Sequence, residues 1–249
     1  IMILMGKTDP NAAKHQQQSQ ILVPMDTPGI TLLRGMRAMG ELDEPKGHAE
    51  IIFDNVRVPF ENCLLGDGRG FEISQGRLGP GRIHHCMRLI GQAERCLSAL
   101  CTRAEEREAF GKKFVEFDTI LQDIAKCRVE IETCRLLVRE AAHQMDVKGN
   151  KDGHTRQLLS LIKAHVPGTV QGIADKCMQG FGGMGLSQDT PMLGAFFGAR
   201  ILRVADGPDE VHWRTAARIE LGKQKASPLK DVGQYPKPAD DATPFRKST

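Results

Sequence analysis

An α+β chain, with strands in the first quarter and an antiparallel bundle of long helices after them, is what the spacing of apolar residues predicts. Up to about residue 66 the apolar residues come in short runs between turn residues, as strands require. From about Gly70 they recur at three- and four-residue steps, the period that buries one face of a helix. Short connections between long helices force neighbours to run antiparallel.

Ile1-Met2-Ile3-Leu4-Met5-Gly6 is expected to form a buried strand. A strand is not stable alone, and one under way at the first residue makes the chain read as a fragment lacking its beginning. The polar residues 7–18 are expected to form a surface loop. Residues 20–24 and 30–33 read as strands around a turn at Asp26-Thr27-Pro28-Gly29, where proline fixes φ and glycine permits a positive one. Residues 49–53 and 56–59 read as two more.

The first helix carries Cys86, Ile90, Ala93, Leu97 and Cys101 on one face. The second carries Phe117, Ile120, Leu121, Ile124, Ile131, Cys134, Val138, Ala141 and Met145. A third carries Leu158, Ile162, Val166, Val170, Ile173 and Cys177, with Pro167 inside it as an expected kink. Short helices are expected over residues 192–202 and 209–221. The residues then turn polar and proline-containing, as in a tail without fixed structure. The expected domains are therefore 1–66, 67–222 and a tail over 223–249.

Charged residues make up 26% of the chain and hydrophobic ones 40%, a globular composition. The net charge of +3 comes without a dense basic run interleaved with aromatics, so nucleic-acid binding has no support. No apolar run reaches the roughly 18 residues of a membrane span. The seven cysteines contain no Cys-x-x-Cys pair and sit on apolar faces, the pattern of reduced thiols in an intracellular protein.

Four constellations bear on chemistry. Gln179-Gly180-Phe181-Gly182-Gly183 ends a helix on bare backbone, which fits either a helix C-cap or contact with a flat or phosphorylated ligand. Asp206-Gly207-Pro208-Asp209-Glu210 is a turn whose acids suit the start of a helix, with Pro208 at its first position. Asp206 can equally be a general base pointing into the same space as the glycines. Gly79-Pro80-Gly81-Arg82 interrupts a helical pattern, either as a helix start or as bare backbone and a cation for a ligand. Arg107 and Lys112 flank Phe110-Gly111 between two helices, as solvated residues or as a diphosphate contact. His84-His85 lacks metal-ligand spacing and a carboxylate partner, and reads as structural. No metal site is expected.

These motifs, in this order, resemble the C-terminal half of the FAD-dependent acyl-CoA dehydrogenases. Asp26-Thr27-Pro28-Gly29-Ile30, residues 53–59 and Leu65-Gly66-Asp67-Gly68-Arg69-Gly70-Phe71 match its middle β-domain and the entry to its helices, and residues 107–112 and 179–183 its helical signatures. The resemblance covers residues 1 to about 222. It implies part of a middle β-domain followed by an antiparallel four-helix-bundle domain. The Asp-Gly-Pro-Asp-Glu segment, with Gly-Pro-Gly-Arg-Ile-His-His, resembles the subgroup found in large members fused to a kinase-like domain.

The resemblance also implies roles. Arg107 would bind the FAD diphosphate, with Phe110 beside it. Gln179, Gly182 and Gly183 would pack on FAD, typically across a subunit boundary, which implies a homodimer or homotetramer. Gly79, Pro80, Gly81 and Arg82 would contact acyl-CoA. Asp206 takes the place of the usual glutamate base, one methylene shorter, with Gly207 against the thioester. Pro208, Asp209 and Glu210 replace the usual flavin contacts. Where some members carry their base on the earlier helix, this chain has Gly81.

The reaction implied is α,β-desaturation of an acyl-CoA to a trans-2-enoyl-CoA. Asp206 takes the proton, flavin N5 the hydride, and an electron-transferring flavoprotein the electrons. An oxidase on the same fold, acting on acyl-CoA or nitroalkanes, and a non-catalytic helical oligomerisation module are the alternatives. The compartment implied is mitochondrial or peroxisomal in a eukaryote and cytoplasmic in a bacterium.

Overall fold

The structure is a computed structural model and describes residues 1–42 and 47–227. Strand β1 (Met2–Lys7) pairs antiparallel with β2 (Gln18–Val23), from Met2 opposite Val23 to Lys7 opposite Gln18. β1 thus finds a partner within the chain. It is not the buried strand expected, because Ile1, Ile3 and Met5 all face outward. β3 (Ile30–Ala38) forms a second antiparallel sheet between β4 (Glu41–Leu42) and β5 (His48–Phe53). Residues 56–59 are unpaired rather than a strand: Asn55 turns the chain at φ 48°, and Pro59 has no N–H to donate.

Helix α1 (Gly70–Glu106) is seated on β2. Gln20 Nε2 donates to the Gly70 carbonyl at 3.2 Å and to Ser74 Oγ at 2.8 Å. A Cβ at Gly70 would lie 2.8 Å from the Gln18 carbonyl, so the helix enters where only glycine fits. α1 then runs without a break through Gly79-Pro80-Gly81, which is neither a helix start nor an interruption. Pro80 removes the bond to the Gly76 carbonyl, but Gly76 is exposed and water can replace it. The buried glycines allow close packing: a Cβ at Gly79 would come within 3.2 Å of Met145 Cε.

α2 (Asp118–Lys148) returns antiparallel, and α3 (Gly153–Phe181) starts on Asp152, whose Oδ1 accepts from the Thr155 N–H at 2.9 Å. α3 is the central helix, packing on α1, α2, α4 (Pro191–Leu202) and α5 (Asp209–Ala226). It continues through the buried Pro167 as one helix. Near its start Gln157 meets Glu220 of α5, whereas Lys163 meets the end of α4. α4 and α5 therefore lie end to end along α3 and together form a fourth rod, broken at residues 203–208. α5 continues four residues past the 222 boundary expected for the helical domain; the rest of the expected tail, 228–249, lies outside the described residues.

Leu89, Leu100, Ile131, Ile162, Val166, Val170, Ile173 and Met192 fill the core. The seven cysteines are free thiols, five of them fully buried among these side chains. Burial pushes the Cys86 thiol up to about 12, and Cys96 and Cys134 to about 11, so they behave as small apolar groups.

Candidate functional site

The break in the fourth rod places Asp206. Its φ of 57° is left-handed, a conformation aspartate tolerates better than most residues. Gly207 follows at φ 105°, where a Cβ would stand 2.9 Å from His212 Nε2. Two cations clasp the turn by its main chain. Arg82 of α1 donates from Nε and Nη2 to the Asp206 carbonyl at 3.4 and 3.3 Å. Fully buried Lys163 of α3 donates to the Leu202 carbonyl and, at 3.3 Å, to that of Gly207. His212 of α5 donates from Nε2 to the Asp206 carbonyl at 3.1 Å.

The carboxylate itself faces α1. Asp206 Oδ2 lies 2.9 Å from His85 Nε2, with both side chains about a quarter exposed. Arg88 donates to Nδ1 of the same ring, so Nδ1 accepts and Nε2 carries the proton given to Asp206. A Cβ on Gly81 would be 3.8 Å from Asp206 Oδ2 but 2.6 Å from Arg77 Nη1, so the Arg77 guanidinium lies over this glycine beside the acid. Burial holds His85 and His212 below the ordinary histidine value, Lys163 below that of lysine and Arg82 below that of arginine. For His85 the neighbouring Asp206 opposes that shift.

Pro208 is the N-cap of α5, one position before the place expected for it, with Asp209 and Glu210 in the first turn. Asp209 is buried and accepts from Arg203 Nε at 2.7 Å, while its Oδ1 has no protein partner among the described residues. Glu210 is exposed.

The other predicted residues are elsewhere. Arg107 opens a small hairpin of β6 (Glu108–Ala109) and β7 (Lys112–Lys113), turned by Phe110 and Gly111 at φ 55° and 78°. Both central residues of this two-residue turn have positive φ, as in the type I′ hairpin. Gln179, Gly182 and Gly183 sit at the nearby end of α3, where Arg103 of α1 lies 5.5 Å over the Phe181 ring. At 1.5 Å per residue, Arg107 is about 39 Å along α1 from Gly81, and Gln179 about 24 Å along α3 from Lys163. The glycine cluster and Asp206 therefore do not share one space, contrary to the expectation. Within one chain the two groups lie toward opposite ends of the helices that carry them.

The far end is open. Phe110 is 95% exposed, Arg107 and Gln179 are exposed, and no atom lies within 4 Å of a Cβ placed on Gly182 or Gly183. A guanidinium, a free aromatic face and uncovered main chain suit a planar ligand with a diphosphate. Among the described residues no group of three or more His, Cys, Asp or Glu side chains could hold a metal, and no helix is long and apolar enough to cross a membrane.

The model of the acyl-CoA dehydrogenase C-terminal domain matches residues 68–221. The chain belongs to the acyl-CoA dehydrogenase family. Mouse acyl-CoA dehydrogenase family member 10 is 57% identical over 224 residues, 90% of this chain and 21% of that protein. Mouse family member 11 is 50% identical over 226 residues, again 90% of this chain and 29% of the other. A solved chain from Mycobacterium abscessus, assigned to the same family, superposes with a TM-score of 0.85 at 50% identity, covering 89% of this chain and 54% of that one. Butyryl-CoA dehydrogenase of Megasphaera elsdenii superposes with a TM-score of 0.75 at 26% identity, over 88% and 55%. The chain thus spans about a fifth to just over half the length of these relatives.

Sequence reasoning missed His85, Arg88, Lys163 and His212 as neighbours of Asp206. His85 was set aside for want of a carboxylate partner, which arrives from 121 residues away. Lys163 carried a usable signal, a lone cation beside the apolar positions 162 and 166.

Proposed function

We propose that the chain is the helical part of an FAD-dependent acyl-CoA dehydrogenase in which Asp206 is the base that removes the proton next to the thioester carbonyl. The observation that carries this reading is the Asp206 carboxylate itself: tethered by a left-handed turn, fixed by His85 at 2.9 Å and set beside Gly81 and the Arg77 guanidinium. A general base must be positioned before its proton affinity matters. Arg82, Lys163 and His212 supply the positioning by pinning the turn's carbonyls. Gly79, Gly81 and Gly207 let Met145, Arg77 and His212 pack close around the turn, and His85 covers one side of the acid.

FAD, when bound, would supply the two-electron oxidation that makes the enoyl product. The exposed Arg107, Phe110, Gln179, Gly182 and Gly183 fit its diphosphate and flat rings. Their distance from Asp206 supports contact with the FAD of a neighbouring subunit, and so a homodimer or homotetramer. Pro208 and Glu210 are exposed at the start of α5, while Asp209 is turned inward to Arg203 and braces the turn. Electron-transferring flavoprotein is the acceptor this chemistry calls for. Asp206→Asn in the full-length protein tests the reading: FAD stays bound, but its bleaching by acyl-CoA is abolished. Unchanged reduction overturns it.

A further inference from the structure

We propose that His85 is the positioning residue for Asp206: held in one tautomer by Arg88, its Nε2–H grips Oδ2 and leaves Oδ1 to meet the substrate. This rests on the reading of Asp206 as the base. Aspartate reaches one methylene less far than glutamate, so a small rotation about its side-chain bonds moves the acid away from its target. Backbone contacts from Arg82, Lys163 and His212 fix the turn but leave those bonds free. The only protein hydrogen bond to the carboxylate among the described residues is the one from His85.

Arg88 makes that bond one-directional. With Nδ1 occupied as an acceptor, the ring can give its remaining proton only to Asp206. The charged and titratable groups facing the pair are Arg77, Arg82 and Arg88 on α1, Lys163 on α3, and Asp209 and His212 on α5. Burial, with Arg88 and Lys163, holds His85 below the ordinary histidine value against the opposing pull of Asp206. Asp206 must hand its captured proton on, or share it, without His85 becoming a competing acid.

The experiment uses the full-length, FAD-loaded protein, with butyryl-, octanoyl- and palmitoyl-CoA as probes and stopped-flow flavin bleaching from pH 5.5 to 9 (roughly the histidine range). His85→Ala is expected to lower the limiting rate roughly 10- to 100-fold, the equivalent of one hydrogen bond to a charged group. The half-saturating acyl-CoA concentration should barely move, so the loss falls on the rate and not on binding. His85→Gln keeps an N–H donor and should restore most of the rate. Arg88→Met should lower the limiting rate in the same direction and add nothing on top of His85→Ala. If His85→Ala fails to retain FAD, the Gln and Met variants decide the matter.

A wild-type rate across this pH range in His85→Ala, a His85→Gln no better than Ala, or an Arg88→Met with an unchanged rate overturns the proposal alone. Asp206→Asn with undiminished bleaching, or no bleaching of the wild type by any of the three probes, overturns the function on which it rests.

Discussion

Replacing Gly207 by alanine should loosen the turn that carries Asp206, by an amount that can be assembled from two parts. At φ 105° any side chain is strained, at a cost of about 1–2 kcal/mol if it equals the left-handed penalty. The new Cβ would also stand 2.9 Å from His212 Nε2, closer than real contacts allow. His212 is buried and belongs to α5, so it can yield only by leaving the Asp206 carbonyl, which forfeits about 0.5–1.5 kcal/mol. The expected total is about 1.5–3.5 kcal/mol. Urea unfolding of the full chain in a double-mutant cycle separates the parts. In a His212→Ala background the contact is gone, and Gly207→Ala should cost only the backbone share of about 1–2 kcal/mol. Equal losses in both backgrounds would refute the steric argument.

Two further outcomes follow from close packing and burial. A Cβ at Gly185 would lie 2.5 Å from the Met178 carbonyl oxygen, whereas one at Gly180 would lie 2.5 Å from Leu100 Cδ1, which can rotate away. Gly185→Ala should therefore unfold at lower urea than Gly180→Ala, whose loss should stay near the 1–3 kcal/mol of an overfilled core. Lys163 has its folded-state value lowered by burial from the ordinary 10.5, so the unfolded chain binds that proton more tightly. The stability of the wild type relative to Lys163→Met should rise with pH between the lowered value and 10.5, and be flat below that window. A gap that shrinks as pH rises would show that the ammonium gains more from its carbonyls than it loses by burial.

The helical half was legible because periodicity is local. Core positions such as Leu97, Ile131 and Ile162 follow directly from three- and four-residue spacing. The helix through Gly79-Pro80-Gly81 was not legible, because Gly79 answers to Met145 of α2, which only packing brings near, and Gly81 to Arg77 one turn earlier on α1. The same limit hid the site. Asp206 could be named from its own turn, yet the four side chains that hold it come from α1, α3 and α5. Its separation from Gln179 is a matter of helix length, fixed only once both residues are placed on their helices. Residues 56–59 show the opposite failure, a strand-like composition left without a pairing partner.

The two-piece fourth rod has a mechanical consequence. Its lower segment is anchored near its far end, where Gln157 Nε2 reaches Glu220 and Lys223 reaches Gln157 Oε1. Sliding that segment by a single residue would displace the acid by about 1.5 Å, half the length of a hydrogen bond. Substitutions at those distant anchors, which touch neither thioester nor flavin, would then retune the reach of the proton acceptor.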